Sequence, residues 1–190
     1  MRIIAGLLKG RRLNPPVQSK SWPTRPTTDF SREGLFNILQ NRVEFDELKA
    51  LDLFGGSGSH SFELISRGCE QVTYVDMYRG CIEFVKTTAA AWGVEQFITI
   101  IQDDVLKFIA RNQGSYNYIF AGPPYPLKEL GQLPAMIFEH QLLSPGGLFI
   151  LEHNTNYNFS THLHFVEMRK YGSTQFSFFK MPAENQTGAV

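Results

Sequence analysis

An alternation of short hydrophobic runs with helix-like segments predicts an α/β fold built on a mostly parallel sheet. Five strand-like runs, from residues 48–54 to residues 146–154, are separated by stretches with helical spacing. Strands that alternate with helices form right-handed βαβ units. The chain has 190 residues, of which 43% are apolar and 19% charged. This length and composition suit one globular domain with a real core.

The first part of the chain predicts an arm and an entry helix. Residues 1–16 contain short apolar runs punctuated by glycines and a proline pair, which is typical of a β-hairpin or two short strands. A polar loop rich in proline follows. A helix over residues 30–43 is then predicted, because Phe30, Leu35 and Leu39 recur at helical spacing after a candidate N-cap at Thr28 or Asp29.

The remaining elements follow from the same periodicity. We predict strands at 48–54, 71–77, 97–102, 116–121 and 146–154, and helices at 59–68, 79–93, 104–113 and 128–143. In the tail, two β-rich runs are joined by Gly172-Ser173. This pattern predicts an antiparallel hairpin at the end of the sheet.

Several classes of protein are disfavoured. No window approaches the ~18 apolar residues of a membrane helix, and no signal-peptide pattern opens the chain. Cys69 and Cys81 are too few for a disulfide framework or a zinc site, so we expect no metal and a reducing, cytoplasmic setting.

Charge is unevenly distributed although the net charge is zero. Residues 1–28 carry six basic and no acidic side chains, whereas residues 29–190 carry 12 basic and 18 acidic ones. The asymmetry predicts a basic arm, residues 1–28, on a neutral-to-acidic body, residues 29–190. A solvated basic segment without a partner is the alternative. The arm residues expected to contact nucleic-acid phosphates are Arg2, Lys9, Arg11 and Arg12.

Glycines and acids follow the predicted strands, at the edge where open parallel sheets bind ligands. After the first strand, Gly56 and Gly58 fit the first two positions of a dinucleotide fingerprint, but Ser61 stands in the third. Asp76 comes 20 residues after Gly56, at the end of the next strand. A carboxylate there can accept hydrogen bonds from both ribose hydroxyls.

The acids favour S-adenosylmethionine over a dinucleotide. A pyrophosphate needs N–H groups and little negative charge nearby, whereas S-adenosylmethionine brings a cationic amine and a sulfonium. Asp52 can face the amine, and Asp104, with Asp103 beside it, can take the adenine amino group. The predicted cofactor-binding residues are Asp52, Phe54, Gly55, Gly56, Ser57, Gly58, Asp76, Met77, Asp103, Asp104 and Val105.

Six blocks of the sequence carry a resemblance to a known family. They are MRIIAG, RPTTDFSREGLFNIL, LDLFGGSGS, ISRGC, VD and IFAGPPY, in that order. The chain resembles the RsmD family, bacterial guanine-N2 methyltransferases of small-subunit ribosomal RNA, over roughly its whole length. The first two blocks are quite specific to that family, while the glycine loop and Pro-Pro-Tyr are also found in adenine-N6 methyltransferases.

The resemblance implies a fold and a partner. The fold would be a Rossmann-like class I methyltransferase with a seven-stranded sheet and an N-terminal hairpin arm. The partner would be small-subunit rRNA or an assembling small subunit, and nothing demands more than a monomer. We expect the block with Arg25, Thr27 and Arg32 to line the substrate-side mouth of the cofactor pocket and to contact nucleic acid.

One residue departs from the family. The tip after the fourth strand reads Asp-Pro-Pro-Tyr or Asn-Pro-Pro-Tyr in relatives, but Gly122-Pro123-Pro124-Tyr125 here. These four are the predicted catalytic residues. In the family, the side-chain oxygen of the Asp or Asn and a proline carbonyl would accept hydrogen bonds from the amino group of a base stacked on the tyrosine, and so direct its lone pair towards the methyl group. By analogy with removing one preorganised donor from an oxyanion hole, we expect the missing side chain to reduce the rate by about 10²–10³-fold. Glu152 is the only acid we identify as a substitute.

Three functions therefore stay open. The first is guanine-N2 methylation of small-subunit rRNA with S-adenosylmethionine, impaired by Gly122. The second is a non-catalytic RNA-binding or assembly factor that kept the fold. The third is adenine-N6 methylation, which uses the same chemistry at the tip.

Overall fold

The computed structural model describes residues 1–16, 27–112 and 116–183. Within them, the strands are β1 (Lys49–Leu53), β2 (Gln71–Asp76), β3 (Ile98–Gln102), β4 (Tyr116–Ala121), β5 (Leu143–His153), β6 (Phe165–Tyr171) and β7 (Thr174–Lys180). The helices are α1 (Asp29–Leu39), α2 (Ser59–Ser66), α3 (Arg79–Trp92), α4 (Val105–Arg111) and α5 (Leu133–Glu139). None of these helices is long and apolar enough to cross a membrane.

The strands form one sheet in the order β3-β2-β1-β4-β5-β7-β6. Strands β1 to β5 pair in parallel, and β7 pairs antiparallel with both β5 and β6. The predicted Rossmann-like sheet with a terminal hairpin is thereby confirmed. Two hydrophobic clusters cover its faces, one around Phe36 and Tyr118 and the other around Ile119 and Phe149.

Two predicted helices are shorter than expected. Helix α1 begins after an N-cap at Thr28 but ends at Leu39, four residues before the predicted end at residue 43. The helix predicted at 128–143 is wrong in extent, because α5 spans only Leu133–Glu139 and β5 already begins at Leu143. Pro134 explains the late start, since proline has no N–H to donate and fits only the first turn of a helix.

The N-terminal arm is a tight loop rather than a regular hairpin. Its two sides pair at an antiparallel bridge between Arg2 and Arg12, which is flanked by hydrogen bonds from the Ile3 N–H to the Arg11 carbonyl at 2.9 Å and from the Leu13 N–H to the Met1 carbonyl at 3.0 Å. Ile3, Leu8 and Leu13 are buried in the same cluster as α1. The arm as far as Leu13 is therefore packed onto the body; the predicted boundary at residue 28 stays a prediction.

Glu63 of α2 binds the arm to the body. Its side chain is fully buried, and its two oxygens accept the N–H groups of Ile4 at 2.8 Å and Ala5 at 3.2 Å. Arg67 neutralises the charge, with Nε 2.9 Å from Oε1. Buried charges are tolerated when they are paired and hydrogen-bonded in this way.

Gly6 allows the arm to approach α2 closely. Its φ is +79°, and an added Cβ would lie 1.6 Å from the Ser66 carbonyl oxygen. That carbonyl accepts the Leu7 N–H at 2.7 Å. A side chain at position 6 would therefore break the contact as well as strain the backbone.

Replacement of Glu63 should loosen the arm. Glu63→Gln removes the charge that pairs with Arg67 and leaves at least one arm N–H without an acceptor, so we expect the free energy of unfolding to fall by about 2–3 kcal/mol. Urea denaturation followed by circular dichroism measures this. Glu70→Gln, on the nearby surface, is the matched control. Equal stability of the two variants would show that Glu63 does not anchor the arm.

Candidate active site

The carboxyl ends of four parallel strands lie at one edge of the sheet. Leu53 of β1 is in register with Val75 of β2 on one side and with Ala121 of β4 on the other. Asp76 of β2 is in register with Gln102 of β3. The glycine loop, the acids and the proline tip, which were predicted separately, therefore meet at one edge.

The loop after β1 turns sharply through left-handed residues. Phe54, Gly56 and Gly58 have φ values of 59°, 53° and 71°. The Gly58 N–H donates to the Gly55 carbonyl at 2.8 Å, and Gly58 is the N-cap of α2. The loop therefore places the start of α2 at the carboxyl end of β1.

Close packing against Tyr74 of β2 and Val85 of α3 requires glycine at two positions of the loop. A Cβ on Gly55 would lie 2.2 Å from the Tyr74 ring, and one on Gly58 would lie 2.9 Å from Val85. The Tyr74 hydroxyl donates to the Gly56 carbonyl at 2.6 Å. Sequence reasoning missed Tyr74, because no local pattern indicates that its ring packs under Gly55.

Asp76 holds the loop from the neighbouring strand. One oxygen of its carboxylate accepts the Gly56 N–H at 2.9 Å, and the other accepts the Tyr78 N–H at 2.8 Å. Burial raises the pKa of Asp76, and these backbone hydrogen bonds oppose that rise. Met77, beside it, has about half of its surface exposed, at 52%.

Asp52 is a buried carboxylate with one oxygen unsatisfied. Oδ2 accepts from the Ser61 N–H at 3.2 Å and from the Ser61 hydroxyl at 2.5 Å. Oδ1 has no hydrogen-bond partner in the part of the chain that the structure describes. Burial raises the pKa of Asp52 to about 7, against the hydrogen bonds from Ser61. A cationic amine beside Oδ1 would satisfy this oxygen, so the site fits the amino acid portion of S-adenosylmethionine.

Ser61 holds the Asp52 carboxylate, a role that comparison with the dinucleotide fingerprint does not indicate. The serine that departs from the dinucleotide pattern fixes Asp52 instead. Its place in the first turn of α2, nine residues after Asp52, is the signal that could have revealed the contact. At the same loop, the Ser57 hydroxyl lies 3.7 Å from the sulfur of Met1, which places the start of the arm against the loop.

The acids after β3 have structural partners as well. Asp104 is the N-cap of α4, and its Oδ1 accepts the N–H groups of Leu106 at 2.9 Å and Lys107 at 3.1 Å. Asp103 forms an ion pair with Arg111. Val105 is buried at the start of α4. Contact of these residues with adenine stays a prediction.

The tip after β4 is fixed to the loop end of β1. The Gly122 N–H donates to the Leu53 carbonyl at 3.1 Å, and the Pro124 carbonyl accepts the Leu127 N–H at 2.9 Å. Pro123 is buried. The tip is therefore a rigid turn beside the glycine loop.

Glu152, at the end of β5, lies next to the tip. It is 6% exposed, and its carboxylate accepts the Thr27 hydroxyl at 2.6 Å and the Tyr125 hydroxyl at 3.4 Å. The Tyr125 hydroxyl is also 3.4 Å from that of Thr174. The predicted base-stacking residue and a predicted nucleic-acid residue thus meet at one carboxylate.

His60 fills the space behind the tip. Its ring stacks on Phe120 with centroids 3.8 Å apart, and its Nε2 is 2.9 Å from the Tyr118 hydroxyl. Burial lowers the pKa of His60 well below its ordinary value, and the charge of Arg32 adds to this effect. The ring is therefore a neutral packing element.

The basic residues fall into two groups. Arg2, Lys9, Arg11 and Arg12 are exposed on the arm, with Arg11 5.6 Å above the Trp92 ring. Arg25 lies outside the described residues. The predicted contacts of all of them with nucleic acid stay predictions.

Arg32 differs from the arm residues because it is 2% exposed. It forms an ion pair with Asp29 at 2.9 Å and donates to the Arg2 carbonyl. Its Nε and Nη1 have no hydrogen-bond partner among the described residues. Arg32 thus ties α1 to the arm, and its predicted role toward nucleic acid stays untested.

Comparison with solved structures places this architecture among known folds. YhhF of Escherichia coli superposes with a TM-score of 0.82 at 24% identity, covering 97% of this chain and 99% of that one. The 16S rRNA N2 G1207 methyltransferase RsmC of Thermus thermophilus, solved with AdoMet and guanosine, gives a TM-score of 0.65 at 20% identity, covering 84% and 45%. At these identities the likeness shows a common fold.

Sequence comparison shows the family. The family model described as conserved hypothetical protein 95 matches residues 1–180. The ribosomal RNA small subunit methyltransferase D of Haemophilus influenzae is 32% identical over 155 residues, which cover 80% of this chain and 78% of the relative. The chain therefore belongs to the family described as conserved hypothetical protein 95, the RsmD family of methyltransferases.

Proposed function

We propose that the protein transfers a methyl group from S-adenosylmethionine to the exocyclic N2 of a guanine in small-subunit rRNA. One observation carries this proposal: the residue before the glycine loop, Leu53, and the first residue of the tip, Gly122, are hydrogen-bonded, with the Gly122 N–H donating to the Leu53 carbonyl at 3.1 Å. A methyl donor and an acceptor base need to be held side by side, and this contact fixes the two binding elements relative to each other.

Three carboxylates would hold the methyl donor. Asp52 would receive the amine and Asp76 the ribose hydroxyls, while Asp104 and the exposed Met77 would border the adenine. When bound, S-adenosylmethionine supplies a methyl group activated by a sulfonium.

The tip would orient the base. Prolines 123 and 124 fix the backbone, and the half-buried Tyr125 offers a ring on which a base can stack. An amino group on a base is a poor nucleophile because its lone pair is delocalised into the ring. Acceptors at its N–H groups direct that lone pair towards the methyl group, so positioning would supply most of the acceleration.

Family membership supports the choice of substrate. The Haemophilus influenzae relative is named for small-subunit rRNA, and the Thermus thermophilus structure that shares the fold is named for guanine N2. The non-catalytic and adenine-N6 alternatives have no comparable support. We infer that the protein works as a monomer in the cytoplasm, on small-subunit rRNA or the assembling subunit.

The direct test is methyl transfer. Purified protein, tritiated S-adenosylmethionine and small subunits from a strain that lacks the modification should give labelled rRNA, and nucleoside analysis should find the label in N2-methylguanosine. Label in N6-methyladenosine would support the adenine alternative, and absence of label would support the non-catalytic one.

Asp76 should contribute strongly to cofactor affinity. Asp76→Ala removes a charged acceptor, which is worth about 1.5–3 kcal/mol, so binding of S-adenosylmethionine should weaken by about 10–100-fold. Isothermal calorimetry measures the affinity. Asp46→Asn is the control, because Asp46 is an exposed acid that precedes the amino end of β1, whereas the site lies at the carboxyl end. An unchanged affinity in the Asp76 variant would contradict the proposed ribose contact.

Cofactor binding should depend on pH through Asp52. The pKa of Asp52 is about 7 in the free protein, and a cationic amine would lower it by favouring the carboxylate. Affinity should therefore rise between pH 6 and 7.5, with a proton released on binding near pH 6.5. Calorimetry in two buffers of different ionisation enthalpy detects that proton. Asp52→Asn should bind more weakly, with a flat profile; a wild-type profile equally flat would contradict the assignment.

The basic arm should make RNA binding sensitive to salt. Each phosphate contact on single-stranded RNA contributes a slope of about −0.7 to the dependence of log K on log salt. Arg2→Ala/Arg12→Ala should reduce the slope by about 0.7 for each residue, measured by filter binding to small-subunit rRNA. Lys86→Ala/Lys180→Ala, which removes two exposed charges outside the arm, is the control. Equal slopes in both double variants would exclude the arm from the interface.

A further inference from the structure

Strands β4 and β5 place Glu152 beside Gly122, the position of the tip that has no side-chain acceptor. Ala121 of β4 is in register with Leu151 of β5, and the residues that follow them are Gly122 and Glu152. A Cβ built on Gly122 would lie 3.9 Å from Oε2 of Glu152. The Glu152 carboxylate therefore borders the space that an Asp or Asn side chain at position 122 would enter.

The carboxylate is held in place there. Glu152 is 6% exposed, and the Thr27 and Tyr125 hydroxyls donate to different oxygens of it, at 2.6 Å and 3.4 Å. A carboxylate has about four lone-pair sites, so it can accept from several donors at once. The contact with Tyr125 ties the carboxylate to the ring on which the base would stack.

A glycine at position 122 leaves the Glu152 carboxylate undisturbed, whereas a second acid there would lie too close to it. An aspartate at 122 would bring two carboxylates into one partly buried space, and like charges so close together disfavour ionisation of both. Gly122 does not have a left-handed φ, so a neutral side chain would not strain the backbone there. The added Cβ would lie 3.3 Å from a Phe120 ring carbon, a tight contact that requires the ring to shift by a few tenths of an ångström. Asn is therefore the matched substitution for testing this position.

We propose that Glu152 replaces the side-chain acceptor that is absent at Gly122, and that it accepts an N–H of the base amino group. This inference rests on the proposed function. The nitrogen lone pair forms the new N–C bond as the C–S bond breaks, and that electron pair stays on sulfur. The cationic nitrogen then loses a proton to the Glu152 carboxylate, which passes it to water, and the methylated base is left neutral.

Three variants test the role of Glu152 on small subunits that lack the modification. Glu152→Ala should lower kcat by about 10²–10³-fold, the usual cost of losing one preorganised group, while calorimetry shows S-adenosylmethionine binding within about threefold of wild type. Glu152→Gln keeps an acceptor oxygen but cannot take the proton, so its kcat should lie between that of Glu152→Ala and that of the wild type. Thr174→Val, which removes another partner of the Tyr125 hydroxyl, is the control and should keep near wild-type kcat.

Rescue distinguishes catalysis from structural support. Gly122→Asn alone should change kcat by less than about tenfold because Glu152 already serves, but in the Glu152→Ala background it should raise kcat by at least about tenfold. A residue that only supports the fold would not be rescued by a new acceptor at 122. Failure of rescue with cofactor binding intact would overturn the proposal.

The outcomes separate this inference from the function on which it rests. If wild-type protein labels the subunits and Glu152→Ala labels them at a similar rate, this inference alone is wrong. If wild-type protein transfers no methyl group, the proposed function is wrong and this inference falls with it.

Discussion

The parallel pairing of β1 with β2 on one side and β4 on the other is the constraint that assembles the site. Parallel strands all end at the same edge, so residues far apart in the sequence are brought within hydrogen-bond distance. Gly56 meets Asp76, and Leu53 meets Gly122, through single contacts of 2.9 and 3.1 Å. A shift of register in either pair would separate the loop from one of its partners.

Burial of charge is the second organising feature, and each buried acid has its own compensation. Asp76 is stabilised by two backbone N–H groups, and Glu63 by two N–H groups and Arg67. Among the described residues, Asp52 has only Ser61 as a partner, at one oxygen, so the cost of burying this carboxylate is incompletely offset. Buried polar groups of this kind are often retained where a ligand completes them.

Periodicity predicted the sheet and the strand-end residues well, because both depend on local patterns. The strand predicted at 116–121 and the hairpin at Gly172-Ser173 match the structure. Long-range contacts could not be predicted in this way: nothing local in the arm indicates that Glu63 accepts its N–H groups, and no pattern shows that Tyr74 packs under Gly55. The length of α5 failed for a local reason, since Leu130–Gln132, which lie inside the predicted helix, form a 3₁₀ turn instead.

The burial of His60, whose ring stacks on Phe120, changes how a titration of this protein should be interpreted. An inflection near neutrality is usually assigned to histidine, the side chain whose unperturbed pKa lies there. Burial lowers the pKa of His60 well below its ordinary value, so this ring stays neutral as the solution passes through that range. Asp52 has the pKa of about 7 instead. In this fold, the group that titrates where a histidine is expected is a buried carboxylic acid in the strand that leads into the glycine loop.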